Sequence, residues 1–326
     1  MTMHATTQRI DAAIRLTDLH AVADSMSLEV HAGLSRPQKS LPPKYFYDKK
    51  GSELFDSITG LPEYYPTRTE IRLLRDHSGE MARLLGSNGI LLELGSGSST
   101  KIRMLLEAIR PRLYVPMDIS RRHLIDSARR LVADYPWLTV HATCVDFTMP
   151  WSMPELGSGR RNVFFPGSSI GNFDPDAAME LLRRVRKLTG DDGGLLIGVD
   201  LKKSTRTLEN AYNDAQGVTA DFNLNVLSHI NRRLGANFDL NKFSHRALYN
   251  EREGRVEMHL ECRQDHRVSI NGCNYRFAAG ETIHTENSYK YSINEFHRLA
   301  ERGGLAPVRV WTDRDSLFSI HYLVAD

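Results

Sequence analysis

In LLELGSGSSTKIRMLL, residues Leu91–Leu106, an apolar run ends in an acid, crosses a loop of small residues and continues as a helical pattern. Strand, Gly95-Ser96-Gly97, helix is how an open parallel sheet holds a nucleotide-like ligand above the carboxyl end of its first strand. Small residues admit a ligand close to the backbone, and a helix N-terminus offers N–H donors. The loop alone does not choose among ligands. A dinucleotide fingerprint wants a third glycine or alanine where Thr100 stands, and a P-loop wants Gly-Lys-Ser/Thr where Lys101 follows Thr100 and precedes Ile102. Both lose ground.

The pattern outward from this stretch alternates apolar runs with amphipathic ones. GILLELG, RLYVPMD, LTVHATCVD, NVFFPGS and GGLLIGVDL read as strands; TKIRMLLEAI, SRRHLIDSARRLVADY and DPDAAMELLRRVRKL read as helices. Such alternation implies βαβ units and a parallel sheet buried on both faces. It stops near Leu201. A long polar helical stretch, TRTLENAYNDAQGVTADFNLNVLSHINRRLG, is followed by strand-like RVEMHLECRQ, HRVSING and NYRFAAGETIHTENSYKYS. INEFHRLAERGG then reads as a helix, and APVRVWTD and SLFSIHYLVAD as a strand pair returning to the main sheet. The expected organisation is an α/β core over 71–202 and 291–326, with a smaller α+β domain assembled from 1–70 and the insertion 203–290.

Lysine plus arginine total 42 against 40 for aspartate plus glutamate, so no global field recommends a nucleic-acid partner. The cluster Arg183–Lys187, RRVRK, reads as a solvated helix face. Three cysteines with no CxxC pair argue against a disulfide framework or zinc site and suit a reducing cytoplasm. No apolar stretch approaches the roughly 18 residues of a membrane span, and the N-terminus shows no secretory pattern.

Acids at successive strand ends narrow the ligand. Glu93 ends the first strand, Asp118 the second, where ribose hydroxyls are commonly gripped, and Asp146 with Phe147 the third. A carboxylate accepts ribose hydroxyls, and an acid beside an aromatic ring suits adenine. S-adenosylmethionine, with ribose, adenine and a sulfonium but no phosphate, fits the set. Each acid alone also fits a helix N-cap.

KSLPPKYFYDKKGSELFDSITGLPEYYPTRTE, LELGSGSSTK, GSSIGNF, NAYNDAQGVTADFN and EMHLE together resemble the histidine-specific, S-adenosylmethionine-dependent methyltransferases that make hercynine in ergothioneine biosynthesis, from about Leu34 to the end. The resemblance implies a class I (Rossmann-like) methyltransferase sheet with a second, smaller substrate domain. It assigns the cofactor S-adenosyl-L-methionine to Gly95, Gly97, Lys101, Asp118, Asp146 and Phe147. The amino-acid end of L-histidine falls to Tyr64, Gly167, Asn172 and Tyr212, and the imidazole to Tyr47, Met258, Glu286 and Ser288. Tyr47 and Glu286 are the candidate catalytic groups, as acceptors of the amine proton alongside bulk water; no metal is required. Met258 paired with Glu286 favours histidine over the tryptophan derivatives methylated by fungal relatives. As isolated residues, Tyr47, Tyr64, Tyr212 and Met258 read as core, Glu286 as a surface partner of Lys290, and Asn172 as a helix cap. The expected protein is a cytoplasmic monomer acting on a small molecule, with no nucleic-acid or membrane partner. Methylation of another amino acid or amine, a non-catalytic adenosylmethionine-binding role, and an NAD oxidoreductase are the competing readings.

Overall fold

The computed structural model describes residues 6–19, 24–97, 99–147, 149 and 151–326. Within them the chain divides into two units, one of 6–19, 65–202 and 289–326, the other of 24–64 and 203–288.

The first unit is built on a nine-stranded sheet in the order Thr6–Arg9, Ile14–Asp18, Val140–Cys144, Leu113–Asp118, Ile90–Leu94, Arg161–Phe165, Gly194–Asp200, Phe318–Ala325, Leu305–Thr312. From Ile14–Asp18 to Gly194–Asp200 neighbouring strands run parallel, and the outer pairings are antiparallel. Chain order reverses at Ile90–Leu94, so the carboxyl end of that strand is the topological switch point.

Successive residues of each inner strand point to opposite faces. Leu91, Tyr114, Phe164 and Leu196 join one apolar cluster with side chains from the helices Tyr65–Leu85, Arg103–Ile109 and Arg121–Asp134. Leu92, Val115, Val163 and Ile197 join another with the helices Pro175–Thr189 and Ile293–Arg302. Both faces are covered, which is why the strands read as unbroken apolar runs rather than alternating ones.

Two boundaries differ from the sequence expectation. The strands Thr6–Arg9 and Ile14–Asp18 lie in the nine-stranded sheet, not with the insertion. Ile14 and Leu16 are buried against that sheet, and Ile14 is in parallel register with Val140. Nor does the N-terminal part of the second unit run to 70. Tyr65–Leu85 is one continuous helix whose stripe Leu73, Leu74, Met81 and Leu85 packs on the large sheet.

The second unit carries the four-stranded sheet Lys39–Ser40, Thr282–Tyr289, Arg255–Cys262, Phe243–Asn250, whose second strand ends at the unit boundary. It also carries a hairpin of His266–Ile270 with Cys273–Phe277. The hairpin turns on Asn271-Gly272, with φ of +47° and +83°, the residues a tight two-residue turn prefers. The expected long helical stretch is two helices, Thr205–Tyr212 and Val218–Leu234. Asp214 breaks it: its carboxylate accepts the N–H of Val218 at 2.9 Å and of Thr219 at 2.8 Å, restarting the helix. No helix of the described residues is long and apolar enough to cross a membrane.

Tight backbone approach at Gly193 gives a test of the packing. A Cβ there would lie 1.9 Å from the Arg161 carbonyl oxygen and 2.5 Å from that of Thr189, neither able to yield as a side-chain end could. We expect Gly193→Ala to lower unfolding free energy by about 3 kcal/mol or more, read by urea denaturation; an unchanged midpoint would contradict this packing.

Candidate active site

Parallel pairing in the first unit brings the loop after Ile90–Leu94, the ends of Leu113–Asp118 and Val140–Cys144, and the segment 166–172 to one sheet edge. Gly95 and Gly97 have φ of +70° and +46°, left-handed values that glycine adopts without a steric penalty. A Cβ on Gly97 would meet nothing within 4 Å, so the loop is open on that side. The Gly97 N–H donates to Asp118 Oδ2 at 3.1 Å, and the Ser120 N–H to Oδ1 at 2.9 Å. Burial pushes the Asp118 carboxyl above its ordinary pKa, and these N–H donors pull the other way. Asp146 is buried; Phe147 is half-buried, its ring edge-on to Trp151 at 6.4 Å between centroids. Lys101 Nζ lies 2.6 Å from a Glu70 carboxylate oxygen.

An adenosyl amino acid fits this chemistry. Ser96 Oγ is buried and has no hydrogen-bond partner among the described residues, as expected of a loop that meets polar ligand atoms. Glu93 is held by Tyr114. It is 1% exposed and accepts a short hydrogen bond from the Tyr114 hydroxyl. Burial pushes its carboxyl up to about 8, against the pull of Tyr114 and Lys101.

The segment 166–172 carries two more expected positions. Gly167 and Ser168 are successive left-handed residues, φ +80° and +56°, and the second is a non-glycine residue in a strained conformation. Ser168 Oγ accepts the Asp200 N–H at 2.9 Å, which holds the turn in place. Asn172 ends the short 3₁₀ turn Ser169–Asn172 and is half-buried. The N-cap position of the following helix belongs to Asp174, so Asn172 does not cap it.

The other expected residues belong to the second unit. Tyr47 follows the 3₁₀ turn Pro43–Phe46, its ring edge-on to Phe55 at 5.8 Å and Phe222 at 5.9 Å. Tyr64 is buried, its ring 6.1 Å from that of Tyr212. The Tyr212 hydroxyl donates to Ser288 Oγ at 2.8 Å, and both side chains are buried. Thr285 Oγ1 donates to the Met258 carbonyl at 3.0 Å, fixing the strand of Met258 beside that of Glu286.

Burial along Thr282–Tyr289 breaks phase at this point: Ile283 and Thr285 are buried, then Glu286 and Ser288. Two successive buried residues interrupt the alternation, and Glu286 is 9% exposed beside Thr285 at 1%. Glu286 is therefore not a surface residue, and the Lys290 ammonium lies 2.7 Å from Asp200 with both side chains 1% exposed.

One group of described residues in the second unit has metal-ligand chemistry: Glu257, His259 and His284, with donor atoms within 4.8 Å of one another. Glu257 already takes Arg255 Nη2 at 2.8 Å and Nε at 2.9 Å, and its other oxygen is 3.1 Å from His259 Nε2. The guanidinium cancels the one carboxylate charge a dication would need, so the cluster reads as a hydrogen-bonded network.

Comparison with known proteins gives the family. Residues 26–325 match the family described as histidine-specific methyltransferases, SAM-dependent. The chain belongs to this family. It is 44% identical over 312 residues to a histidine N-alpha-methyltransferase of Mycolicibacterium smegmatis, covering 93% of this chain and 96% of that one. It is 42% identical over 299 residues to the protein of that name in Mycobacterium tuberculosis, covering 90% and 92%. Ergothioneine biosynthesis protein 1 of Neurospora crassa is 31% identical over 311 residues, matching 91% of this chain and 35% of its own length.

This histidine-specific methyltransferase is thus an S-adenosylmethionine-dependent enzyme with a Rossmann-like fold. Sequence reasoning passed over Glu70, which contacts both the glycine-loop lysine and the 166–172 segment. The signal was present: Glu70 lies three and four residues before Leu73 and Leu74 on the buried stripe of its helix, where an acid is out of place. Phe55 and Phe222, which flank Tyr47, also carried no mark beyond apolar character.

The raised Glu93 pKa has a defined sign. The unfolded carboxyl ionises above pH 4.5 while the folded one stays protonated to about 8, so stability falls as pH rises through that window and is flat above it. Glu93→Gln keeps an acceptor for Tyr114 and cannot ionise. The stability difference between variant and wild type should grow in the variant's favour from pH 5.5 to 8 in urea titrations; a constant difference would contradict a protonated Glu93.

Proposed function

We propose that the protein transfers three methyl groups from S-adenosylmethionine to the α-amine of L-histidine, giving hercynine, the first step of ergothioneine biosynthesis. Besides the family match, the observation that carries the substrate is Glu286, a carboxylate 9% exposed on the strand next to that of Met258. An imidazole offers an N–H donor to such a carboxylate, and a phenyl or aliphatic side chain offers none, so the polar contact favours histidine.

When bound, S-adenosylmethionine supplies an electrophilic methyl group on a positive sulfur and becomes S-adenosylhomocysteine. The chain supplies position and charge. We assign Asp118 to the ribose hydroxyls, Asp146 and Phe147 to the adenine, and Lys101 to the carboxylate of the cofactor's amino-acid end. Gly95 and Gly97 keep the backbone low beneath it. Gly167 and Asn172 are assigned to the amino-acid end of histidine, as are Tyr64 and Tyr212; Tyr47, Met258, Glu286 and Ser288 are assigned to the imidazole.

An amine is a nucleophile only without its extra proton, and we assign that proton to Tyr47 or Glu286, directly or through water. The Tyr212–Ser288 hydrogen bond fixes both hydroxyl groups within the second unit and spares each a rotamer search on binding. The cysteines Cys144, Cys262 and Cys273 are free, in keeping with our placing the enzyme in a reducing cytoplasm.

Glu286→Ala tests the reading. Loss of a charged hydrogen bond to substrate costs about 2–3 kcal/mol, so kcat/KM for histidine should fall about 100-fold. S-adenosylhomocysteine affinity, measured by calorimetry, should stay within about twofold by the same reasoning, since no cofactor contact is removed. Unchanged histidine kinetics would remove Glu286 from the substrate site.

A further inference from the structure

Glu70 is 0% exposed, on the helix Tyr65–Leu85, and no residue of either ligand loop lies next to it in sequence. Its two carboxylate oxygens each accept the Gly167 N–H at 3.0 Å, and Oε2 lies 2.6 Å from Lys101 Nζ. The arrangement is interlocked. A Cβ on Gly167 would stand 3.2 Å from Lys101 Nζ, and a Cβ on Gly198 would stand 2.2 Å from Glu70 Oε1. Gly198, on the strand Gly194–Asp200, thus leaves the space that the carboxylate fills.

Burying an ionised carboxylate is costly unless it is paired and hydrogen-bonded. Here the pairing comes from one cation of the glycine-loop segment and one amide of the 166–172 segment. A lysine on a long flexible stem has many rotamers, and its side chain is 18% exposed, so water is within its reach. The buried partner selects the one placement in which Nζ sits against Gly167, and the other two ammonium protons remain for further acceptors. Glutamine cannot replace it. With the Gly167 N–H directed at both oxygens, one side of a carboxamide would face that N–H with a donor of its own.

We propose that Glu70 is a positioning residue for cofactor binding, acting through Lys101, and that the same carboxylate sets the backbone of Gly167. The proposal rests on the assignment of Lys101 to the cofactor's carboxylate. Its chemical content is that the negative charge closest to the lysine strengthens binding of an anionic group, because it holds the ammonium in place. Simple charge competition would give the opposite sign.

The test is a double-mutant cycle on the full chain, reading the Kd of S-adenosylhomocysteine by calorimetry for wild type, E70Q, K101M and E70Q/K101M. The expected result is a rise of about tenfold for E70Q and for K101M, the order of one charge-assisted contact, and no further rise in the double variant. A structural role alone would add the two losses; additive losses overturn the proposal, as does unchanged or tighter binding in E70Q. Unchanged binding in K101M removes the lysine assignment and the proposal with it, an outcome distinct from additivity. Should E70Q alone fail to fold, the double variant removes both buried charges together, and its comparison with K101M decides: equal Kd supports the proposal, a further loss overturns it. The histidine KM should also rise in E70Q and in the double variant, since in both the Gly167 amide exchanges one of its two acceptor oxygens for an N–H donor, and an unchanged KM overturns the Gly167 part.

Discussion

The central strand Ile90–Leu94 is buried along its whole length, and a parallel strand buried on both faces offers a ligand only its end. That constraint organises the first unit. Neighbouring strands run the same way, so their carboxyl ends arrive at one edge, and chain reversal at Ile90–Leu94 opens a crevice there. The glycine loop, Asp118, Asp146 and the 166–172 segment are among the pieces of chain that leave the sheet at this edge. None is near another in sequence by necessity; the sheet makes them neighbours.

Charge inside this unit is handled case by case, and each solution has a distinct consequence. Glu93 is kept neutral by burial, with its pKa near 8. Glu70 stays paired, to Lys101 and a backbone amide. Asp200 is paired with Lys290 at 2.7 Å and accepts the Tyr65 hydroxyl at 2.7 and 2.9 Å. Asp200 and Glu70 also grip consecutive residues of one turn, through the Asp200 N–H to Ser168 Oγ and the Gly167 N–H to Glu70. A left-handed serine persists only when its surroundings over-determine it, and here the Asp200 backbone N–H holds its hydroxyl while the Glu70 carboxylate holds the preceding amide. The turn is therefore rigid at the place where the proposed reaction needs a fixed backbone.

What was legible in the sequence follows period and punctuation. The inner strands, the helices after them and the returning strand pair announce themselves because unbroken apolar runs and 3.6-residue stripes have few other uses. Ile14–Asp18 escaped: it is short, no helix pattern leads from it toward its neighbour Val140–Cys144, and pairing across that much chain leaves no local mark. Asp214 escaped because an acid in a polar helical stretch looks like surface until its carboxylate is seen on the next helix's N–H groups. Among the candidate site residues the glycine loop and Asp118 carry physical signals of their own, whereas Tyr47, Tyr64 and Met258 are marked only by family resemblance. The burial of Glu286 is invisible in a strand whose polar and apolar residues already mix.

In the first unit the buried acids are satisfied within the fold, while Ser96 Oγ of the glycine loop has no hydrogen-bond partner among the described residues. We hold that the candidate site residues of the two units select S-adenosylmethionine and histidine. Mass spectrometry of the purified protein incubated with S-adenosylmethionine and an equimolar mixture of the twenty amino acids tests it most directly. Addition of up to three methyl groups to histidine alone is the predicted result. Methylation of another amino acid with histidine untouched would contradict it.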